Sequence, residues 1–317
     1  MIIKLYGVRG SLPSPTSTTE YREKIKKILE LAIEKKITQK KQIPEFIKEI
    51  SYPLNYLIGG NTTCATVTTP EYLFILDGGT GLRILGEEIF QNPERYPKVL
   101  YFFITHTHWD HIQGIPFFKP LYLPNYTIHF YSGFEDIEDR LAYQTDERFF
   151  PVPFHKTASK KFFHHIKSGS PIRFGNLIEI HTQFLKHPGG CFSYKFIDLR
   201  KNKIFIFATD VEITGEDFLG KQEYTDYFSY ADILILDSQY TLDESFLKID
   251  WGHTSYTMAV NCAIHWKVKN LILTHHEPNY NDAKLFQNYL NAIRHKNYLE
   301  KDRPKIFLAR EGMTFEI

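Results

Sequence analysis

Residues 100–114 read LYFFITHTHWDHIQG and join an apolar run directly to four potential metal ligands. A buried strand over the apolar run would present His106 and His108 on the same side of the extended backbone, with Asp110 and His111 following where the chain turns. Four such groups behind a buried strand would be costly to desolvate without a partner, so a chance arrangement is a poor explanation. The stretch therefore predicts a metal site with ligands enough for two ions.

The donor types indicate which metals suit the site. Imidazole and carboxylate groups bind zinc, manganese or iron, whereas closed structural zinc sites rely largely on thiolates. Cys64, Cys191 and Cys262 are far apart and form no CxxC pair, which argues against a thiolate site and against a disulfide framework. We therefore expect a catalytic metal site in a protein of the reducing cytoplasm.

Three more candidate ligands follow apolar runs later in the chain. His187 comes after QFLK, Asp210 ends KIFIFATD, and His275 ends NLILTH. Each alone is an ordinary turn residue, but sites in α/β sheets gather at the carboxyl ends of strands, where these residues would meet the first cluster. His276 is the alternative ligand beside His275.

Short apolar runs and helix-period segments alternate along most of the chain. Six runs suit buried strands: 2–6, 72–76, 100–104, 204–207, 233–236 and 271–273. Segments 254–266 and 281–294 carry apolar residues at helical spacing. This mixture predicts a layered α/β architecture, and we expect a single domain over residues 1–317.

Residues 16–53 differ from their surroundings. Apolar residues recur at helical spacing in TEYREKIKKILELAIEKK and again in KQIPEFIKEI, which predicts an inserted helical hairpin. The hairpin is either a cap over the active site, a contact in a homodimer, or a surface decoration with its charges in solvent. We favour the surface decoration.

Composition narrows the classes of partner. Lys and Arg number 38 and Asp and Glu 37, so the net charge of +1 gives little steering of a polyanion. The N-terminal MIIKLYGVRG lacks the pattern of a signal peptide, and no apolar run reaches 18 residues. We expect an unexported protein without a membrane partner.

The motif HTHWDH resembles the HxHxDH motif of the metallo-β-lactamase superfamily. Further likenesses lie outside residues 16–53 and 135–168: GVRGS at 7–11, GGNTTC at 59–64, LDGGTGLRILG at 76–86, WGHTS at 251–255 and LTHHEP at 273–278. They are similar to the branch that contains tRNA 3′-processing endonucleases, cyclic-phosphate phosphodiesterases and cyclic-nucleotide phosphodiesterases. The resemblance implies a four-layer αββα sandwich and metal-dependent hydrolysis of a phosphoric diester.

The resemblance also implies how the ligands divide between two divalent metal ions, with zinc preferred and manganese as the alternative. One ion would be held by His106, His108 and His187 and the other by Asp110, His111 and His275, with Asp210 bridging both. Metal coordination lowers the pKa of water from about 15.7 to roughly 7. We therefore expect a hydroxide shared by the two ions to attack phosphorus.

A leaving alkoxide needs a proton donor. His253 in WGHTS matches a histidine of the resembling endonucleases and is our candidate, with Asp237 in ILILDSQY as its orienting carboxylate. The competing interpretation gives His253 a structural hydrogen bond at a helix N-terminus and makes Asp237 purely structural.

The substrate is inferred from what the chain lacks. The resembling tRNA endonucleases insert a long arm between the positions of His187 and Asp210, where this chain has only 22 residues, 188–209. The cyclic-phosphate enzymes carry a cysteine-bound zinc for which this chain has no cysteine cluster. We therefore expect a small cyclic nucleotide as the substrate, with tRNA 3′ processing as the alternative and tRNA not an expected partner.

Two other classes fit less well. A single-iron dioxygenase acting on thiol adducts shares HxHxDH, but it would leave Asp110 and His275 without a metal. A binding module that has lost catalysis usually loses ligands, and all seven are present here.

Overall fold

Two seven-stranded sheets form the centre of the molecule. The computed structural model describes residues 1–300 and 302–317, without the side chains of residues 218 and 219. In this part of the chain the strands are β1 (Ile2–Gly7), β2 (Cys64–Thr68), β3 (Leu73–Leu76), β4 (Val99–Ile104), β5 (Thr127–Ser132), β6 (Lys160–His165), β7 (Ile172–Phe174), β8 (Ile178–Leu185), β9 (Cys191–Asp198), β10 (Lys203–Ala208), β11 (Ile233–Asp237), β12 (Asn270–Thr274), β13 (Lys305–Leu308) and β14 (Thr314–Glu316).

The α-helices lie between these strands along the chain. They are α1 (Thr18–Glu34), α2 (Ile43–Glu49), α3 (Leu82–Gln91), α4 (Trp109–Ile112), α5 (Ile137–Gln144), α6 (Gly215–Gly220), α7 (Gln222–Phe228), α8 (Leu242–Leu247), α9 (Tyr256–His265) and α10 (Asp282–Leu299). The six predicted strands and the two predicted helices at 254–266 and 281–294 all correspond to elements of this list, with boundaries shifted by a few residues.

Each sheet combines an antiparallel and a parallel half. The first sheet has the order β14-β1-β2-β3-β4-β5-β6 and is parallel from β3 to β6. The second has the order β13-β12-β11-β10-β9-β8-β7 and is parallel from β10 to β13. The carboxyl ends of parallel strands meet at one edge of a sheet, so the loops after β3, β4, β10, β11 and β12 gather there.

Three apolar layers hold the sheets and helices together. Between the sheets, Phe74 and Phe103 of the first contact Phe196 of the second, with ring centroids 5.4 and 5.7 Å away. A second layer packs α3 on the outer face of the first sheet, and a third packs α9 and α10 on the outer face of the second. The prediction of a four-layer αββα sandwich is confirmed.

The segment 16–53 contains α1 and α2, and α1 packs loosely. No residue of α1 is buried, and Leu29 and Ile33 are exposed. Lys24 ties α1 to the rest of the chain through an ion pair of 2.6 Å with Asp282. A role for this hairpin as decoration, cap or homodimer contact stays a prediction, as does the single-domain division of the chain. Among the described residues, no helix has the length and apolarity required to span a lipid bilayer.

Candidate metal centre

Residues at strand ends carry the candidate ligands to one edge of the sandwich. His106 and His108 follow β4, Asp210 follows β10, and His275 follows β12. Asp210 and His275 have φ values of +46° and +59°, a region that residues other than glycine rarely occupy. Such conformations persist only when the surrounding structure enforces them, and here they turn the side chains at the strand ends into the centre.

The structure brings all seven predicted ligands together in two groups that share one carboxylate. The first group is His106, His108, His187 and Asp210, and the second is Asp110, His111, His275 and Asp210. Within each group the ligand atoms lie no more than 4.8 Å from one another. This is the division that the resemblance implied.

In the first group the donor atoms surround Oδ2 of Asp210. That oxygen lies 3.5 Å from Nε2 of His106 and 3.7 Å from Nε2 of His187. Nδ1 of His108 lies 2.9 Å from Nε2 of His187. Two imidazoles therefore face this carboxylate oxygen, and the third, that of His108, contacts His187 beside it.

In the second group the donor atoms surround Oδ1, the other oxygen of Asp210. It lies 3.0 Å from Nε2 of His111 and 3.1 Å from Nε2 of His275. Oδ2 of Asp110 lies 3.2 Å from Nε2 of His111 and 3.0 Å from Nε2 of His275. Each oxygen of Asp210 thus serves a different group.

These distances fit bound metal ions. Ligands 2.0–2.1 Å from a tetrahedral zinc ion are roughly 3.3 Å apart, which is the spacing seen in both groups. Within the described residues, Nε2 of His106 and Oδ1 of Asp210 are buried and have no hydrogen-bond partner of acceptable geometry. Buried polar atoms are normally satisfied, so these two atoms fit the role of ligands to a cation.

The pKa values of the aspartates and histidines of the centre bear on metal binding. Burial by itself raises the pKa of Asp110 and Asp210, but nearby imidazoles, above all His111, outweigh it and hold both pKa values well below the usual range. Burial lowers the pKa of His106 well below its usual value, so its imidazole is neutral. In His111 and His275 the nearby carboxylates, above all Asp210, outweigh burial and raise the pKa, to about 9 for His275. Metals bind ionised carboxylates and neutral imidazoles, so a cation at the centre would displace protons from these two rings.

A further set of hydrogen bonds orients the ligands. Nδ1 of His111 lies 2.8 Å from Oδ2 of Asp77, and Nδ1 of His275 lies 3.1 Å from Oε1 of Gln239. The backbone N–H of Ser11 donates to Oδ2 of Asp110 at 2.7 Å. Such bonds fix the tautomer and direction of a ligand.

Asp77, Gln239 and Ser11 were not among the predicted site residues. Asp77 offered a signal, because it directly follows β3 in LDGGTG as His106 closely follows β4. Gln239 and the backbone of Ser11 offered none, since neither is a residue type that marks a metal site.

His253 and Asp237 form the pair that we predicted. Nδ1 of His253 lies 2.7 Å from Oδ2 of Asp237, which is fully buried. The ring of His253 is 5.2 Å from that of His187 and stacks 4.9 Å from that of His275. The pair therefore contacts one ligand of each group, and its role as a proton donor stays a proposal.

His276 lies outside the centre. Its Nε2 donates to the carbonyl oxygen of Ala309 at 2.8 Å, and burial lowers its pKa to about 3. Of the two adjacent histidines, only His275 belongs to a metal-binding group.

Two glycines explain the motifs on either side of the centre. A Cβ atom on Gly10 would lie 2.4 Å from ring atoms of His275, and one on Gly252 would lie 2.2 Å from Nδ1 of His187. Gly252 also has φ of +86° and accepts a hydrogen bond of 2.9 Å from His187 at its carbonyl oxygen. GVRGS and WGHTS thus supply close backbone approach to two ligands, as tight turns beside the site.

Known proteins resemble this chain over most of its length. Ribonuclease Z of Crocosphaera subtropica is 23% identical over 297 residues, which cover 77% of this chain and 88% of that protein. The metallo-beta-lactamase fold protein YhfI of Bacillus subtilis is 15% identical with a TM-score of 0.63, over 99% of this chain and 98% of that one. Human tRNase Z, short form, is 14% identical with a TM-score of 0.61, over 100% of this chain and 99% of that one.

The names of two of these proteins bear on a prediction. They go against our expectation that tRNA is not a partner, since one relative is named a ribonuclease and one structural neighbour a tRNase. At these identities the structural likeness establishes the fold.

A family model described as "Beta-lactamase superfamily domain" matches residues 74–276, well over half of the chain. The matched range runs from β3 to His276 and contains all seven candidate ligands as well as His253 and Asp237. The chain therefore belongs to the beta-lactamase superfamily, in its metallo-β-lactamase fold.

Proposed function

We propose that this chain is a metal-dependent phosphodiester hydrolase and that its substrate is a small cyclic nucleotide. The observation that carries the proposal is the pair of four-donor groups that share Asp210, with the His253–Asp237 pair beside them. Paired metal sites of this kind stabilise the attacking and leaving oxygens of a displacement at phosphorus.

The donor set favours zinc, with manganese as the alternative. His106, His108, His187 and Asp210 would hold one ion, and Asp110, His111, His275 and Asp210 the other. Bound there, divalent cations supply Lewis acidity and a nucleophilic water at neutral pH. The carboxylates of Asp110 and Asp210 leave the loaded centre with net positive charge, which favours an anionic substrate.

His253 is placed to donate the proton that the leaving alkoxide requires. Nδ1–H of His253 donates a hydrogen bond to Asp237. Nε2 is therefore the nitrogen that exchanges a proton with the substrate. The side chain of His253 is 10% exposed while that of Asp237 is 0% exposed, so the imidazole faces the solvent-accessible side. Asp237 acts through His253 and has no contact of its own with substrate.

The connection between two of the ligands supports a small substrate. Residues 188–209 fold into a turn, β9, a second turn and β10, and the two strands pair antiparallel. This hairpin belongs to the second sheet and forms no arm. In the resembling endonucleases the arm that grips tRNA occupies this position.

Processing of tRNA 3′ ends is the second candidate function. It is favoured by the name Ribonuclease Z, which several relatives at 21–23% identity over about 300 residues carry. The same donor groups would serve either substrate, because both reactions break a phosphodiester bond.

A substrate screen tests the proposal. Purified, metal-loaded protein is offered 3′,5′-cyclic purine and pyrimidine nucleotides and, in parallel, a precursor tRNA, with Asp210→Ala as the inactive control. Hydrolysis of a cyclic nucleotide that disappears in Asp210→Ala is the expected result. Cleavage of the precursor tRNA alone would favour the second candidate.

The metal content of the purified protein distinguishes the hydrolase from the dioxygenase and from a binding module. About two ions per chain agrees with the hydrolase. A single iron atom would favour the thiol-adduct dioxygenase, and the lack of both retained metal and turnover would leave a binding module.

A further inference from the structure

Two of the three tryptophans are exposed beside the metal centre. Trp109 is 78% exposed and Trp251 is 59% exposed, whereas Trp266 is fully buried in the layer outside the second sheet. Single exposed apolar residues are common on protein surfaces and need no explanation. Here, however, both exposed indoles belong to segments that supply the centre, HTHWDH and WGHTS.

A row of contacts connects the chain neighbours of the two tryptophans, His108 and Gly252. Trp109 follows His108, the exposed member of the two donor groups. His108 contacts His187 at 2.9 Å, and His187 contacts the carbonyl oxygen of Gly252 at 2.9 Å. Gly252 follows Trp251, so the backbone of each tryptophan lies next to a residue of this row of contacts.

A cavity beside His187 is bordered by the two chain neighbours of Trp251. This cavity of about 290 Å³ is lined by Lys186, His187, Pro188, Glu212, Asp250 and Gly252. It therefore begins at a ligand of the first group and reaches both chain neighbours of Trp251. Lys248 lies 5.6 Å from the centroid of the Trp251 ring and 4.1 Å from that of Tyr240, whose ring contacts His253.

We propose that Trp109 and Trp251 hold the nucleobase of the substrate by stacking. The proposal rests on the proposed function, because it assigns the group that is attached to the scissile phosphodiester. Every nucleobase has a flat π face, and stacking on an exposed aromatic side chain strengthens binding about fivefold or more per base. Stacking reads ring area rather than hydrogen-bond pattern, so purines should bind better than pyrimidines while adenine and guanine differ little.

The test compares two substrates with the same reacting group. One is adenosine 3′,5′-cyclic monophosphate, and the other is 1-O-methylribose 3′,5′-cyclic phosphate, which has a methoxy group in place of the base. The variants are Trp109→Ala and Trp251→Ala, each with its Phe counterpart. Tyr298→Ala is the matched control, because Tyr298 is 88% exposed in the last turn of α10.

The expected result is a loss of selectivity for the base. In each Trp→Ala variant, kcat/KM for the nucleotide should fall at least about fivefold further than kcat/KM for the baseless analogue, with the difference in KM. The Phe variants should keep most of the selectivity, and Tyr298→Ala should keep all of it. Equal losses on the two substrates, or unchanged selectivity in both Trp→Ala variants, would overturn the stacking role.

Fluorescence gives a readout that does not depend on turnover. The cyclic nucleotide should quench the tryptophan emission of the metal-loaded protein, and quenching should disappear in the double variant, which retains only the buried Trp266. Quenching that persists in the double variant would contradict the proposal. Hydrolysis with unchanged selectivity refutes stacking alone, whereas a protein that binds the nucleotide but hydrolyses neither substrate refutes the proposed function alone.

Discussion

The two donor groups share Asp210 but differ in burial. All members of the group around Asp110, His111 and His275 are buried, whereas His108 of the other group is exposed. We call the group that contains His108 the open group, because His108 is its one exposed member, and we call the other the buried group. A cation in the open group is therefore the one that water and substrate can reach directly.

The groups also differ in the partners that hold their histidines. In the buried group a carboxylate, Asp77, orients His111, and a side-chain amide, Gln239, orients His275. In the open group His106 contacts the hydroxyl of Thr105 at 3.1 Å, and His187 relies on the carbonyl oxygen of Gly252. Charged partners raise the basicity of a ligand more than neutral ones, so we expect the buried group to bind its cation more tightly.

Asp210→Ala should have the largest effect, because it removes a donor from both groups at once. Hydrolysis of bis(p-nitrophenyl) phosphate should fall at least about 10⁴-fold, which corresponds to about 5.4 kcal/mol of activation free energy. Metal content measured after dialysis should fall in parallel, while the circular dichroism spectrum stays that of the folded protein. A variant that keeps both its metal and its turnover would end the dinuclear interpretation.

His108→Ala separates the groups, because it affects only the open one. We expect hydrolysis to be lost to a similar degree, but dialysed protein should keep about one metal ion per chain in the buried group. Atomic absorption on the dialysed variant provides the measurement. Loss of both ions would show that the two groups do not bind independently.

His253→Ala tests the side chain that touches one histidine of each group. Cyclic nucleotide hydrolysis should slow about 10²-fold or more, because general acid catalysis typically contributes 10²–10⁴-fold. Bis(p-nitrophenyl) phosphate should be much less affected, since nitrophenolate leaves without a proton. Equal losses on the two substrates would remove His253 from the donor role.

Asp77→Asn should weaken the buried group most, because Asp77 contacts His111 directly but reaches His106 of the open group only through the hydroxyl of Thr105. Replacing the carboxylate behind His111 by an amide of the same size should lower metal affinity about 10- to 100-fold, as is typical when such a partner is lost. Competition with a chelator should then release the tightly held ion earlier than in the unsubstituted protein. If the weakly held ion responds instead, Asp77 does not support the buried group.

Gly252→Ala should have the smallest effect and act on the open group. A Cβ atom there would meet Nδ1 of His187, and φ of +86° strains any other residue. We expect the affinity of the open group to fall about tenfold and the free energy of unfolding to drop by about 1–2 kcal/mol. A chelator titration measures the change in metal affinity, and urea unfolding measures the change in stability. If the first metal ion is released at the same chelator concentration as before, His187 tolerates the added Cβ atom.

Much of the centre was predictable because most of its ligands directly follow apolar runs in the sequence. His106, His108, Asp110 and His111 lie within six residues directly after a strand, so any fold that buries β4 brings them together. Asp210 and His275 end apolar runs that suit buried strands. The four-layer sandwich followed from the resemblance, which rested on motifs spread over the whole chain.

Two of the residues that orient the ligands were harder to predict, because their types are not typical of a metal site. Gln239 and the backbone of Ser11 reach the centre only because the loops after β11 and β1 lie against each other. The prediction about tRNA was drawn from overall charge and from the length of residues 188–209, and neither property describes the surface that a substrate meets. The names of the relatives accordingly weakened it.

The amino-acid sequence by itself indicated six of the seven candidate ligands, with His275 and His276 as alternatives for the seventh, because the ligands directly follow short apolar runs. Only the tertiary structure decided that the two oxygens of Asp210 serve different groups, that His275 rather than His276 enters the centre, and that His108 is the exposed ligand. These outcomes depend on how two sheets pack against each other, bringing side chains more than 160 positions apart within 3.0 Å. No local pattern encodes a distance of that kind.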